Sequence, residues 1–521
     1  MIQLPHLLEI LPEARGLRID EILVISVTDH SGRVQKGAVF VAVRGGSADG
    51  HDYLEEVMKK NPAAIVAEIK RPADYPGLWI QVPDTRAVLG RLAARFAGDP
   101  ASSMAVIGVT GTNGKTTVTH FIHALFEKSM IKAGMIGTIK IHDGKALRPT
   151  THTTPGAVEM QSILHTMKEN GCRAVTMETS SHGLEQGRCA GISFGIGVFL
   201  NLTQDHLDYH GSMENYFEAK KILFDEMARE GSNGVAVINI DDLYGARLAE
   251  MFSDRLKVVT FGFGAEADFR ASEVRPSQRG QVFALNARGK SFFVRLPVVG
   301  RFNVLNALAA LAAVSSTGVP LRDLVKAMEE TRQTPGRMEL VGGERISVFV
   351  DYAHTPDAVE KACETLRDLS PNRLITVFGC GGDRDRGKRP LMAEAATKSD
   401  ICIVTSDNPR SEDPEQIIAE IVPGFKGATY EVIPDRREAI DAAISGALPG
   451  DIILIAGKGH ENYQEIQGKR LHFDDREVAR AALEVRRKVM EAEFKKRQAE
   501  REIRERKRAR EAGETESSEE L

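Results

Sequence analysis

The sequence predicts an α/β protein of three units in series, the middle one built on a parallel sheet that carries a phosphate-binding loop. Three observations lead there. The stretch Val106-Ile107-Gly108-Val109-Thr110-Gly111-Thr112-Asn113-Gly114-Lys115-Thr116-Thr117 joins an apolar strand to a glycine-rich turn, and a helix-like run from Val118 to Lys128 follows. Buried-looking strands recur at 174–177, 196–200, 346–350, 374–378, 401–404 and 452–455, the pattern of parallel strands covered by helices. A chain of 521 residues with 42% hydrophobic side chains has material for about three cores.

In chain order, the first unit (residues 1–98) mixes β-like runs at 38–43 and 64–67 with a helical run from Val88 to Phe96. The second (99–334) opens with the strand, loop and helix above and ends after an apolar helix from Val304 to Ala313. The third (335–485) contains the last four strands. Residues 486–521 are of another kind: twelve Lys or Arg fall among 486–510, and 511–521 is acidic with Gly and Ser. That composition predicts a solvated, charged helix passing into a disordered tail, with contact to an anionic surface or partner as the alternative.

Composition excludes several classes. A formal net charge of −5 argues against general nucleic-acid binding. Cys172, Cys189, Cys363, Cys380 and Cys402 lie far apart with no Cys-x-x-Cys pair, so neither a disulfide framework nor a zinc site is expected. No uninterrupted apolar span reaches membrane length, and Met1 to Leu17 carries no basic patch before its short apolar run. The expected compartment is the cytoplasm.

The loop indicates nucleoside triphosphate chemistry. Its glycines let backbone N–H groups face one anion, Lys115 can reach the β- and γ-phosphates, and Thr116 offers a hydroxyl to Mg²⁺. It is a variant loop, because Val109 stands where the usual spacing has glycine. Two polar clusters follow strands: Glu178-Thr179-Ser180-Ser181-His182-Gly183-Leu184, and Asn201-Leu202-Thr203-Gln204-Asp205-His206-Leu207-Asp208-Tyr209-His210-Gly211. Ligands gather at the carboxyl ends of open parallel sheets, so both clusters can converge on the loop. Hard Mg²⁺ prefers oxygen, which makes Glu178 a ligand candidate beside Thr116.

These segments, with Gly300-Arg301-Phe302-Asn303-Val304-Leu305-Asn306, Asp351-Tyr352-Ala353-His354-Thr355-Pro356 and Asp407-Asn408-Pro409-Arg410, resemble the ATP-dependent Mur ligases of peptidoglycan precursor synthesis. The resemblance runs from about residue 20 to 480. The later segments look like the branch that adds meso-diaminopimelate to UDP-N-acetylmuramoyl-L-alanyl-D-glutamate. It implies a three-domain Mur ligase architecture, with a central phosphate-loop ATPase sheet and a Rossmann-like C-terminal domain. It also implies a chemistry in which the γ-phosphate of ATP passes to a substrate carboxylate and the incoming amine displaces it. The implied partners are three small molecules, with no nucleic acid, and the implied state is a monomer.

Residue by residue, the resemblance implies that Gly111, Thr112, Asn113, Gly114, Lys115, Thr116 and Thr117 hold the ATP phosphates. Asn303 would contact adenine, with Arg337, Asp351 and His354 approaching the nucleotide from the other side. Lys115, His206 and Lys220 would be catalytic. Mg²⁺ would be held by Thr116 and Glu178 at one site and His206 at a second, with Lys220, carbamylated by CO₂, as an anionic ligand. That choice sets Lys220 apart from its neighbour Lys221 by alignment alone. His182 and His210 are read as structural or substrate-facing. Ser31, Thr153, Thr154, Ser180, Gln186 and Arg188 would line the UDP-linked substrate, although Gly156 stands where an acidic residue is commoner. Asp29-His30-Ser31-Gly32-Arg33-Val34 also has two residues more than the family's uridine pattern. Arg384, Asp407, Asn408, Pro409, Arg410, Gly457 and Glu461 would line the diaminopimelate pocket.

Two other readings compete. A ligase for lysine, or a folylpolyglutamate synthetase relative, shares the chemistry, but the Arg410 guanidinium suits a second carboxylate that lysine lacks. A non-catalytic nucleotide-binding scaffold has no need to keep Lys115, Glu178, His206 and Lys220 together.

Overall fold

In a computed structural model the described residues are 2–46, 48–150, 152–229 and 233–516, with side chains described through 505. They fall into two compact units. One runs up to Arg275 and adds Gln281–Pro297 and Arg301–Arg332; the other comprises Pro276–Gly280, Val298–Gly300 and everything from Gln333.

The first unit contains two sheets. Ser26–Thr28, Ala38–Val41, Ala64–Ala67 and Trp79–Gln81 form a four-stranded parallel sheet in that order. The helix Thr85–Phe96 starts where the Asp84 carboxylate accepts the N–H groups of Arg86 and Ala87, a cap that satisfies two otherwise orphaned donors. It buries Val88, Leu89 and Leu92 on one stripe, and at Gly90 its backbone meets Ala190 so closely that a β-carbon would lie 2.2 Å from the Ala190 carbonyl oxygen. Only glycine permits that approach.

The larger sheet has eleven strands. Six neighbours at its centre are parallel: Ala133–Ile136, Ala174–Glu178, Ala105–Thr110, Ile196–Phe199, Val235–Asn239 and Lys257–Gly262. The first five are almost wholly buried, as strands covered on both faces must be, and Lys257–Gly262 is half-buried. Parallel pairing extends to a seventh strand, Phe269–Ser277 beside Lys257–Gly262, while short antiparallel pairings close one edge and Gly280–Ala287 pairs antiparallel with Lys290–Leu296 at the other. After Ala105–Thr110 the chain skips one place to Ala133–Ile136, returns to Ala174–Glu178, then crosses to Ile196–Phe199 on the far side. That reversal opens a crevice above the carboxyl end of Ala105–Thr110. The helix Lys115–Lys128 packs against Arg301–Ser315, an Ala-rich helix buried on nearly every side.

The second unit holds a six-stranded sheet in the order Glu339–Gly342, Ser347–Asp351, Ile452–Ala456, Leu374–Phe378, Ile401–Val404, Tyr430–Val432, parallel except for the first pair. Side chains alternate between faces. Phe349, Leu374, Phe378, Leu454 and Val404 pack under the helices Pro356–Arg367, Lys388–Ala396 and Pro414–Ile421. Val348, Val350, Ile375, Val377, Ile453 and Ile455 pack against Arg436–Gly446 and Val478. Full burial of each such side chain contributes roughly 1.5–3 kcal/mol. The final helix is continuous from Asp475 to Glu516, so the charged segment extends a helix rooted in the core rather than beginning a separate element at 486. Residues 517–521 of the charged tail lie outside the described residues.

Candidate active site

The phosphate loop differs from the usual spacing because Val109 belongs to the strand. It is buried in register with Glu178 and Val198, and the turn begins only at Gly111. Gly111 (φ 150°) and Gly114 (φ 90°) supply backbone conformations that a side chain resists, and a β-carbon on Gly114 would lie 2.5 Å from Asn306 Oδ1. Asn306 in turn donates to Asn303 Oδ1 at 2.9 Å, both buried on the helix behind the loop. Lys115 folds back over the turn, its Nζ donating to the carbonyls of Gly111 and Thr112 at 2.8 Å each. Asn113 is fixed by Asn201, and Thr112 by the Thr203 carbonyl and the Tyr216 hydroxyl. Thr117 is buried in the first turn of the helix.

Glu178, at the end of its strand, is buried and held from three sides. Thr116 Oγ1 donates to its Oε2 at 3.1 Å, Thr138 Oγ1 to the same oxygen at 3.0 Å, and the Thr138 N–H to Oε1 at 2.7 Å. Thr138 Oγ1 also meets Thr153 Oγ1 at 3.0 Å. Thr154 Oγ1 donates to the Glu178 carbonyl at 2.9 Å and shares a contact with Ser180 Oγ, which caps the helix Ser181–Glu185. Arg188 completes this wall: it donates to the Thr154 carbonyl and, through two nitrogens, to Gln186 Oε1, while Gln186 donates to the Tyr209 hydroxyl. Ser31 lies apart from this wall in the small sheet's first loop, at the start of a single turn capped by His30.

Lys220 and Lys221 are neighbours with opposite environments. Lys220 is fully buried on the helix Met213–Arg229, and its Nζ donates to the Gly111 carbonyl at 3.0 Å, the same oxygen that Lys115 uses. Burial, reinforced by the nearby Lys115 charge, pushes its amine well below the ordinary lysine range, toward the neutral form. Lys221 turns outward to Glu218 at 2.6 Å, and that bond raises its pKa. His206 has left-handed backbone (φ 53°) and stands 4.9 Å, centroid to centroid, from His182. Burial lowers His182, His206 and His210 alike; for His206 the Lys115 and Lys220 charges add to it. His210 is the most enclosed of the three, bonded to Ser181 Oγ at 3.0 Å and set 3.3 Å from Glu185. Its surroundings give it a packing role.

Among the described residues no group of three His, Cys, Asp or Glu side chains is arranged to hold a metal ion. The donor set at the loop is instead the Thr116 hydroxyl and the Glu178 carboxylate, hard oxygens of the kind Mg²⁺ takes.

In the second unit, polar side chains cluster at the carboxyl ends of the strands. Asn408 Nδ2 donates to Glu461 Oε2 at 2.8 Å, and the buried Lys458 Nζ reaches Asn408 Oδ1 at 3.0 Å and Glu461 Oε2 at 3.2 Å. Gly457 (φ 116°) admits Asp407, whose Oδ2 would lie 2.5 Å from a β-carbon there. Arg410 also has left-handed backbone (φ 53°); its N–H donates to the Glu465 carbonyl and its Nη1 to the Gly382 carbonyl at 2.6 Å. Among the described residues it forms no ion pair: Glu412 is taken by Arg389, and Asp407 sits 4.0 Å from Arg436. Arg384 is exposed beside Asp383, whose carboxylate accepts from Ser411, and Pro409 is buried between Asn408 and Arg410. Asp351 takes the N–H groups of Met338 and Ala353; burial raises its carboxyl against the pull of Arg337. Arg337 lies over the Tyr352 ring, and the His354 ring packs on the same tyrosine.

Residues 109–314 match the Mur ligase middle domain, and residues 336–459 match the Mur ligase glutamate ligase domain. A UDP-N-acetylmuramoyl-L-alanyl-D-glutamate–2,6-diaminopimelate ligase of Halalkalibacterium halodurans is 41% identical over 488 residues, covering 93% of this chain and 100% of its own. A protein of the same name from Geobacillus thermodenitrificans is 43% identical over 471 residues, 89% of this chain and 96% of its own. A solved structure, also of a ligase of that name, superposes with a TM-score of 0.70 at 36% identity, covering 93% of this chain and 99% of its own. This chain belongs to the Mur ligase family.

Seen as a Mur ligase, the chain has contacts that its motifs did not announce. Thr138 lies on a short loop outside every motif named above, yet it binds both oxygens of Glu178. Asn306 belongs to the 300–306 motif without a role there and Lys458 lies between Gly457 and Glu461, and only the fold shows Asn306 against Gly114 and Lys458 buried between Asn408 and Glu461.

Proposed function

We propose that this chain joins meso-diaminopimelate to UDP-N-acetylmuramoyl-L-alanyl-D-glutamate at the expense of ATP, as a step in peptidoglycan precursor synthesis in the bacterial cytoplasm. The observation that carries the reading is the convergence of Lys115 and the buried Lys220 on one loop carbonyl, beside Thr116 and Glu178. A scaffold that only holds a nucleotide has no use for a second, desolvated lysine under its phosphate loop.

The chain's own residues account for the steps. Backbone N–H groups from Gly111 to Thr117 and the Lys115 ammonium hold the triphosphate and draw charge off the γ-phosphate as the substrate carboxylate approaches it. The carboxylate oxygen bonds to phosphorus, the bond to ADP breaks, and an acyl phosphate forms. The amine of the incoming amino acid then attacks the acyl carbon, loses a proton and expels inorganic phosphate. Thr116, Glu178, His206 and Lys220 are the residues that would hold Mg²⁺, which when bound neutralises phosphate charge. Burial shifts Lys220 toward the neutral amine, the form that adds CO₂, and a carbamate there would be an anion where an ammonium would repel the cation. Thr153, Thr154, Ser180, Gln186 and Arg188, with Ser31, would orient the UDP-linked substrate.

The amine side rests on the second unit. Asn408 and Glu461, tied together through Lys458, and Asp407, which accepts from the Asn408 N–H, offer acceptors for an ammonium group and donors for a carboxylate. Arg410, with no carboxylate partner of its own among the described residues, suits a distal carboxylate, with Arg384, Pro409 and Gly457 shaping the surround. The test is a ligation assay with a panel of amino acids, reading product mass and phosphate release. Phosphate release that needs both the dipeptide substrate and diaminopimelate supports the reading, and release without the amine removes it.

A further inference from the structure

The final helix presents a face that the ligase chemistry does not use. Beyond its root in the core, Val485, Val489, Ala492, Lys496, Ala499 and Ile503 follow one another at spacings of four, three, four, three and four residues. On an α-helix that spacing forms one seam with the 3.5-residue period of a coiled coil. Val485, Val489 and Ile503 are 63%, 52% and 66% exposed, so the seam is uncovered by the chain itself. The opposite face is the one turned to the body, where Leu483, Met490 and Phe494 border a cavity of about 700 Å³ beside Gly342–Ile346.

The charges flanking the seam choose its partner. With Val489, Lys496 and Ile503 at the a positions, Lys488, Lys495 and Glu502 fall at g, and Glu493 and Glu500 at e. In a parallel pair each g residue faces the e residue five places on in the other strand. Lys488 then meets Glu493 of the partner subunit, and Lys495 meets Glu500 of the partner subunit. In the sequence Lys507 follows Glu502 at the same interval. An antiparallel pair would instead set g against g and e against e, placing Lys495 near its own copy and Glu493 near Glu500. Within the chain these groups are weakly engaged: Lys488 lies 3.5 Å from Glu484 and Glu493 lies 3.9 Å from Arg497, both exposed, and Lys495 and Glu500 have no ion pair among the described residues.

We propose that the helix pairs with the same helix of a second copy as a parallel two-stranded coiled coil, making the ligase a dimer through its C-terminal segment. Val489 and Ile503, β-branched at a, favour two strands, and Lys496 at a fixes the register at some cost in stability. The seam is short and rich in alanine, so the association is reversible rather than obligate. This departs from the monomer that the family resemblance led us to expect.

Sedimentation velocity of the full chain over a wide concentration range tests it. Wild type should pass from monomer to dimer as concentration rises, and Val489→Asp with Ile503→Asp should remain monomeric while ligation stays within about twofold of wild type. Lys495→Glu and Glu500→Lys should each weaken self-association about tenfold, and an equimolar mixture of the two should restore it, because each strand then meets its complement. Ile503→Cys should cross-link under mild oxidation, since a parallel register brings like a positions together. A wild type that stays monomeric throughout, or a mixture no stronger than either variant alone, overturns the proposal. So does a monomeric wild type that sediments with anionic phospholipid vesicles, which would assign the face to a membrane surface.

Discussion

Replacing Arg410 tests the amine specificity most directly. Its guanidinium has the Gly382 carbonyl as its side-chain partner at 2.6 Å and no ion pair among the described residues. A substrate carboxylate arriving there gains charge-assisted bonds worth roughly 1.5–3 kcal/mol. Lysine, lacking that group, leaves the guanidinium without it. Arg410 is only partly buried, so stranding it costs less than the roughly 3–5 kcal/mol of a fully buried unpaired charge. A preference for diaminopimelate over lysine of about 2–3 kcal/mol follows, or about 30- to 150-fold in kcat/KM. Arg410→Ala should lose that factor, mainly as a raised KM for diaminopimelate, because the distal carboxylate is held alike before and during reaction. The KM for ATP should stay near wild type. Since φ is 53° here, arginine already bears the left-handed backbone cost of roughly 1–2 kcal/mol and alanine keeps it, so Arg410→Asn, which tolerates that region, separates lost recognition from a distorted loop. Steady-state ligation with both amino acids, read by product mass, decides the matter. Equal use of lysine by wild type, or an undiminished diaminopimelate preference in both variants, would refute the reasoning.

Three further outcomes are expected. Lys220→Ala should abolish ligation with the fold intact by circular dichroism, short carboxylic acids should restore part of it, and Lys221→Ala should be mild; the reverse pattern would reject the assignment. Arg436 and Asp475, both fully buried, are joined by bonds of 2.8 and 2.7 Å, so Arg436→Ala should cost about 3–5 kcal/mol in denaturant unfolding and loosen the root of the last helix. Burial pushes His460 down to about 3, so the folded state resists a proton that the unfolded state accepts. Its contribution is complete above its ordinary pKa near 6.5 and is lost as pH falls toward about 3. Replacing His460→Gln should flatten acid destabilisation across that window, and an unchanged pH profile of thermal melting would contradict the assignment.

The strands at the centre of both large sheets were legible because burial on two faces leaves them as short apolar runs. Leu374–Phe378 and Ile401–Val404 were read to the residue. The edge stretch from Phe269 to Leu296 was not, since its outer positions alternate with solvent, as in Phe269–Ser277. The root of the last helix was not legible for a different reason. Composition changes near 486, whereas the helix is fixed by the Arg436 and Asp475 pair, a contact between distant residues that no periodicity encodes. At the site, motif order named Lys115, Thr116, Glu178 and Lys220, which the fold brings together. Thr138 escaped because a threonine on a loop has no spacing to betray it.

Four of the residues to which the family resemblance gave chemical roles break local rules. Lys220 is a lysine without water, Gly114 a turn with no room for a β-carbon, and His206 and Arg410 are side-chain-bearing residues in left-handed backbone. Each departure costs stability, of order 1–3 kcal/mol for the backbone cases. A sequence under selection for stability alone would replace them, with methionine at 220, or with asparagine or glycine at 206 and 410. Retaining them together, on loops that rigid parallel sheets hold in place, makes sense if each supplies something that its cheaper substitute cannot: a reactive amine at 220, an imidazole at 206 and a guanidinium at 410. For Arg410 this makes a claim apart from specificity: Arg410→Gly should raise thermal stability while lowering the use of diaminopimelate. A variant that loses both would mean that the arginine serves the fold.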